Sequence, residues 1–344
     1  MMNNEAAFDT PAFRLLRRLA VFTLLFSLCV VMLGAATRLK DAGLGCPDWP
    51  GCYGQLLVPH HEEAVNQANA LYPHRPVETH KAWYEMVHRY LASTLGLLIF
   101  ALAAITLKQH REQRSLILLT LSLVGVVIFQ GMLGMWTVTM KLFPTVVMGH
   151  LMGGFLTVSL LALLVSKLML HERLELDRTT VMFARFAWLL VILQVALGGW
   201  TAANYAATVC TQLPICEPGW WQHLNLVGAF KFWGHGTDMY EYAPHLTPDI
   251  KITIHALHRI GAIIVGSCLF ILVLRLAQQQ DGLSSAWAAL LGLLTLGQIG
   301  LGIANVKLDL PLLIAVAHNL GGCLLIATLT VLNCRVIFYR KRYS

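Results

Sequence analysis

Four histidines, His88, His150, His258 and His318, occupy matching points of a duplicated sequence, each a turn or two inside the same end of a long apolar segment. A single imidazole in such a segment commonly hydrogen-bonds across helices or lines a polar cavity, so one alone assigns nothing. Four at similar depth, two in each half, match the way bundles set ligands on facing helices around a cofactor. Zinc asks for four ligands, or three and a water, and neither half offers a third at metal-like spacing apart from Glu85 and His255. A di-metal carboxylate centre asks for several inward glutamates, which are almost absent from the apolar segments. Two axial imidazoles and an apolar slot suit haem iron.

The two halves differ beside the first ligand. Glu85-Met-Val-His88-Arg89 corresponds to His255-Ala-Leu-His258-Arg259, and the i, i+3 spacing puts each extra group on its ligand's helix face. A carboxylate there can move protons or stabilise developing positive charge, which makes one half chemical and the other an electron carrier. The plainer reading of Glu85 is a helix N-terminal acid favoured by the macrodipole. Arg89 and Arg259 either meet haem propionates through bidentate hydrogen bonds or snorkel to headgroups. Gly96, Gly153, Gly154, Gly266, Gly321 and Gly322 thin the helix surfaces beside the ligands. That serves a flat macrocycle or, equally, close helix packing.

The elements that position these residues follow from the repeat. Gly34, Thr37, Cys46 and Cys52 recur 164 residues later as Gly198, Thr201, Cys210 and Cys216; His88, Arg89 and Gly96 recur after 170 as His258, Arg259 and Gly266; Gln130, Gly134, Val138, His150, Gly153 and Gly154 recur after 168 as Gln298, Gly302, Val306, His318, Gly321 and Gly322. With 57% hydrophobic and 12% charged residues in 344, the chain reads as a polytopic membrane protein. Eight runs are long enough to span: roughly 17–37, 84–107, 115–137, 145–167, 183–203, 254–276, 285–305 and 312–334. They are too long for barrel strands, so the expected fold is all-α, eight transmembrane helices as two pseudo-symmetric four-helix bundles, residues 1–170 and 171–344.

Basic residues set the orientation. Arg14, Arg17, Arg18, Lys108, Arg111, Arg114, Lys167, Arg173, Arg178, Arg185, Arg275, Arg335, Arg340, Lys341 and Arg342 all fall on one side, which places both termini in the cytoplasm and loops 38–83 and 204–253 outside. The net charge of +7 is largely this asymmetry, so nucleic-acid binding gets no weight. The first apolar run is of full span length with no small-residue cleavage site after it, and is read as a retained span. No phosphate loop or low-complexity tract is present.

Cys46 and Cys52, like Cys210 and Cys216, enclose five residues that include proline, in loops facing an oxidising compartment. Two disulfides are expected, structural or redox-active. Cys29, Cys268, Cys323 and Cys334 lie in spans and are read as packing residues. The remaining histidines, His60, His61, His74, His80, His223, His235 and His245 in outer loops and His110 and His171 on the cytoplasmic side, are read mostly as solvated.

Taken together, the stretch Gly34-Ala-Ala-Thr-Arg-Leu-Lys-Asp-Ala-Gly-Leu-Gly-Cys-Pro-Asp-Trp-Pro, Glu85-x-x-His88-Arg89, Gln130-Gly-Met-Leu-Gly, His258-Arg259 and the two cysteine pairs resemble the heme A synthase family over nearly the whole chain. The resemblance implies an oxidoreductase of the bacterial inner membrane that oxidises a methyl group of haem O to the formyl group of haem A, through a hydroxymethyl intermediate, for terminal oxidase assembly. It implies His88 and His150 as ligands of the substrate haem O, Glu85 as the catalytic carboxylate, and His258 and His318 as ligands of a resident haem b. The haem O-producing farnesyltransferase and an electron-transfer protein are the partners it brings in, alongside membrane lipid. A dihaem b electron-transfer protein is the competing reading, and a haem carrier that leaves its haem unmodified is a third. Both histidine pairs at one depth, and Glu85 in one half only, weigh against simple conduction across the membrane.

Overall fold

The computed structural model describes residues 11–169, 172–233, 246–279 and 281–338; His171, His235, His245, Arg340, Lys341 and Arg342 lie outside them. Among the described residues, eight helices are long and apolar enough to cross a membrane. In chain order with their shorter companions, the helices are α1 (Pro11–Leu39), α2 (Glu62–Leu71), α3 (Thr79–Gln109), α4 (Arg114–Thr139), α5 (Pro144–Met169), α6 (Arg178–Ala203), α7 (Leu226–Ala229), α8 (Pro248–Ala277), α9 (Gly282–Lys307) and α10 (Leu312–Arg335). The spanning helices overrun the apolar windows; α3 begins five residues before the run at 84. Hydropathy stops at the first polar side chains, whereas backbone hydrogen bonding continues into the interface.

Each spanning set forms a ring. Helix α1 packs on α3, α3 on α4, α4 on α5 and α5 back on α1; α6, α8, α9 and α10 repeat this order. The rings meet through α5 on α10, α5 on α6 and α1 on α10. Histidine-bearing helices α3 and α5, and likewise α8 and α10, therefore sit diagonally across a ring.

Helix ends repeat as well. At the histidine end, α1, α4, α6 and α9 stop in the same turn: the amides of Ala42, Leu142, Ala206 and Leu310 donate to the carbonyls of Thr37, Thr137, Thr201 and Asn305 at 2.8–3.0 Å. The residue before each donor is left-handed, Asp41, Lys141, Tyr205 and Asp309, with φ of 49–56°. This is the Schellman arrangement, which satisfies a last-turn carbonyl and turns the chain sharply. At the other end, Asp177 and Asp281 cap α6 and α9 by accepting from the amides of Thr180 at 3.0 Å and Ser284 at 2.8 Å.

The leucine-rich packing lies away from the histidines. In the first ring, Leu16, Ile99, Leu102, Leu123, Leu161 and Leu164 are fully buried together, filling the end opposite His88 and His150. On that end, β1 (Leu174–Leu176) pairs in parallel with β2 (Val336–Phe338), a short ladder in an otherwise helical protein. Arg335 donates there to the hydroxyl of Ser166 at 2.8 Å and to its carbonyl. The last helix of the second ring is thus tied to the last helix of the first.

Two expectations need correction. Cys268 and Cys323 are buried, but Cys29 and Cys334 are exposed, so the latter pair does not pack in the interior. His110 is buried instead of solvated, its ring edge-on to Phe13 at 5.2 Å. His60, His61, His74, His80 and His223 are exposed.

Candidate functional site

Diagonal placement brings the first histidine pair together. His88 from α3 and His150 from α5 approach across the ring axis with centroids 6.4 Å apart and planes at 86°. A metal–imidazole bond of about 2.0–2.1 Å on each side, plus roughly 1 Å from nitrogen to ring centre, spans about 6 Å, so one iron fits between them. Each ring leans on a glycine of the adjacent helix. A Cβ at Gly34 would come 2.8 Å from Cε1 of His88, at Gly134 3.6 Å from that of His150, at Gly198 3.0 Å from that of His258 and at Gly302 3.2 Å from that of His318. These four glycines, two of them flagged by each repeat offset, are the cradle that lets the imidazoles stand between helices. Gly96 and Gly154 meet almost nothing, so their thin surfaces lie away from the rings.

Nδ1 of His88, His150 and His318 is buried without a hydrogen-bond partner. A proton on that nitrogen would leave Nε2 as the ligating atom.

Above the first pair lies the Cys46–Cys52 loop, closed by a disulfide with Cα atoms 4.9 Å apart; the second ring carries Cys210–Cys216, with Cα atoms 4.7 Å apart. The arginines after His88 and His258 hold these loops. Nη1 of Arg89 donates to the carbonyls of Asp48 at 3.0 Å and Gly51 at 2.5 Å, and Nη2 to Oε1 of Glu85 at 2.5 Å. Arg259 donates to the carbonyls of Gln212 at 2.6 Å, Ile215 at 2.9 Å and Cys210 at 2.5 Å, and through Nε to His255 at 3.1 Å. Planar guanidinium forks suit several converging carbonyls, which a lysine cannot bind at once. Loop clamping is a role neither propionate contact nor snorkelling anticipated.

Glu85 is 4% exposed and sits in the second turn of α3, past the helix start, where it does not act as a cap. Its Oε2 accepts from the amide of Cys46 at 3.0 Å while Oε1 takes Arg89. Asp48 shapes the same loop, accepting from the amides of Tyr53 at 2.6 Å and Gly54 at 2.8 Å. Burial pushes the Tyr53 hydroxyl up to about 12, against the nearby Arg75, so it stays protonated. At the position repeating Tyr53, the second ring has Glu217. Partial burial would raise its carboxyl, but hydrogen bonds from Thr211 hold it below the usual range. The acid thus comes from the helix in one ring and from the loop in the other.

A fold of two repeated four-helix rings, each with its histidines beneath a disulfide-closed loop, defines a polytopic membrane protein of duplicated architecture. The sequence signature of the cytochrome oxidase assembly protein family matches residues 17–330, and the chain belongs to that family. It is 46% identical to the heme A synthase of Shewanella oneidensis over 314 residues, covering 90% of this chain and 93% of that one. The heme A synthases of Agrobacterium fabrum and Shouchella clausii are 26% and 24% identical, over 95% and 96% of this chain and 90% and 98% of theirs.

Proposed function

We propose that the chain is a heme A synthase, an oxidoreductase that converts a methyl group of haem O to the formyl group of haem A for cytochrome oxidase assembly. Likeness to enzymes of that name over most of their length supports the class. Within the molecule, the observation that carries the reading is the single-copy carboxylate. Both rings hold histidines, but only the first has a buried acid on the ligand's own helix face. His88 and His150 would hold the substrate haem O, and His258 and His318 a resident haem b. When bound, haem iron between two imidazoles supplies a redox centre.

The side chains do the rest. Arg89 and the Cys46 amide fix the Glu85 carboxylate through both oxygens, and oxidation of a methyl group releases protons that need an acceptor. Glu85 takes one at Oε2 when the Cys46 amide lets go. The loop clamped by Arg89 is held beside Glu85, and water reaching the site supplies the formyl oxygen while the electrons leave to the redox partner. The protein sits in the bacterial inner membrane with both termini cytoplasmic, which places the histidine ends and disulfides outward. It receives substrate from the haem O-producing farnesyltransferase and passes electrons to a redox partner.

Expression in a host that makes haem O, followed by mass spectrometry of extracted haems, tests this. Formylated haem supports the synthase; unmodified haem alone would leave a dihaem electron-transfer protein or a haem carrier.

A further inference from the structure

Three of the four histidines share a brace that the fourth lacks. A glutamine from the adjacent helix lays its amide against the glycine three residues beyond the histidine: Gln130 on Gly153 beside His150, Gln298 on Gly321 beside His318, and Gln194 on Gly261 beside His258. The seats are tight, since a Cβ at those glycines would come within 2.1, 2.1 and 2.2 Å of the amide atoms. The same amides reach the histidines. Nε2 of Gln130 donates to the His150 carbonyl at 3.0 Å, and Nε2 of Gln194 to the His258 carbonyl at 2.8 Å, lying 3.1 Å from Nδ1 of that ring. Nε2 of Gln298 lies 3.4 Å from Nε2 of His318, the nitrogen assigned to iron, so in the ligated state its bracing contact is the seat on Gly321.

At the corresponding places around His88 the chain has Val30, offset by 164 from Gln194, and Leu91, offset by 170 from Gly261. Both halves of the brace are replaced together. His88 keeps its glycine, Gly34, beneath the ring, but among the described residues no glutamine amide is hydrogen-bonded to it.

We propose that His88 is the exchangeable ligand of the first pair, the one that lets go first when the substrate haem is taken up and released, whereas the three braced histidines are held in place, His150 until the haem leaves and His258 and His318 on a resident haem. This rests on the haem reading given above. For an axial imidazole to leave iron, its ring must swing aside or its helix must slide. The amides of Gln130 and Gln194 each lose a hydrogen bond to the histidine's carbonyl if the helix slides, and that of Gln194, beside the His258 ring, also hinders the swing. A valine–leucine contact has no preferred direction and leaves no polar group unpaired when it shifts. In the exchange, the bond from iron to Nε2 of His88 breaks with the lone pair staying on nitrogen. The incoming ligand supplies its own pair, and no electron is gained or lost.

The probe is carbon monoxide, added to purified protein carrying both haems and reduced with dithionite. In the wild type, CO adds to the haem of the first ring and spares the resident one. The double variant Val30→Gln/Leu91→Gly installs the missing brace and slows CO association at the first ring by roughly five- to tenfold, the worth of one buried hydrogen bond. Gly261→Ala, whose Cβ displaces the Gln194 amide, makes the resident haem CO-reactive with its haem content unchanged. Equal reactivity of both haems in the wild type would overturn the proposal, as would either variant behaving like the wild type while folded and loaded. Should the double variant lose haem, Gly261→Ala decides alone. His88→Ala separates the two levels: unchanged haem content and spectrum there would remove the haem reading itself, whereas an opened first-ring haem with unresponsive brace variants sinks the exchange proposal only.

Discussion

Glu85 and Arg89 form a buried ion pair, 2.5 Å apart, at i, i+4 on one helix. Breaking such a pair leaves an uncompensated charge, so the informative substitution keeps the shape and removes only the acid. Glu85→Gln retains an acceptor for Arg89 or the Cys46 amide and touches no proposed ligand; the helices stay folded and product falls about 10²–10⁴-fold, the usual worth of a positioned acid or base. His258→Ala or His318→Ala does the reverse: resident haem is depleted and its low-spin spectrum lost, read by haem extraction and optical spectroscopy of the purified variant. Much of this residue-level picture is visible in the chain, because duplication marks the histidines, Gly34, Gly134, Gly198 and Gly302 without any homologue. Gln194 escaped because a search for shared residues discards the one position where Val30 stands in the other copy. The arginine clamps escaped for a different reason: Arg89 meets carbonyls 38 to 41 residues away, and no local pattern says that a loop folds back over its own helix.

At the scale of elements, the loops and caps carry testable energetics. Arg89→Lys keeps the charge but loses the fork, so amide hydrogen exchange across residues 46–55 should rise by roughly tenfold, the equivalent of one lost charge-assisted hydrogen bond, with α3 itself unchanged. The Asp281 cap at the opposite end offers a pH test. Hydrogen bonds from Ser284 hold its carboxyl below the usual carboxylate range. Its contribution to stability is therefore complete above the unfolded-state carboxylate pKa and fades as pH falls through the depressed folded value. Asp281→Ala should lower stability by about 1 kcal/mol near neutral pH, and the gap from wild type should close in acid, as followed by thermal unfolding in detergent. Span existence is legible from hydropathy, but which face of a span is buried is not. Lipid is as apolar as the interior, so Cys29 and Cys334 look the same in sequence as Cys268 and Cys323 although only the latter are enclosed.

Over the whole molecule, duplication sets histidines at matching places in both rings and then breaks the equivalence at a few positions: Glu85 against His255, Tyr53 against Glu217, Val30 and Leu91 against Gln194 and Gly261. Pseudo-symmetric rings share the interface made by α1, α5, α6 and α10. Orientation is checked by reporter fusions after residues 110 and 279, which should report the cytoplasm, and after residue 60, which should report the outer side. Chemistry in the first ring and a resident haem in the second is the division of labour to be tested. Haem A formed per enzyme and haem b retained per enzyme, measured together by mass spectrometry of extracted haems in wild type and Glu85→Gln, address it most directly. The expected result is abundant haem A in the wild type, a steep loss in the variant, and equal haem b in both; undiminished haem A in Glu85→Gln would contradict the assignment of chemistry to the first ring's carboxylate.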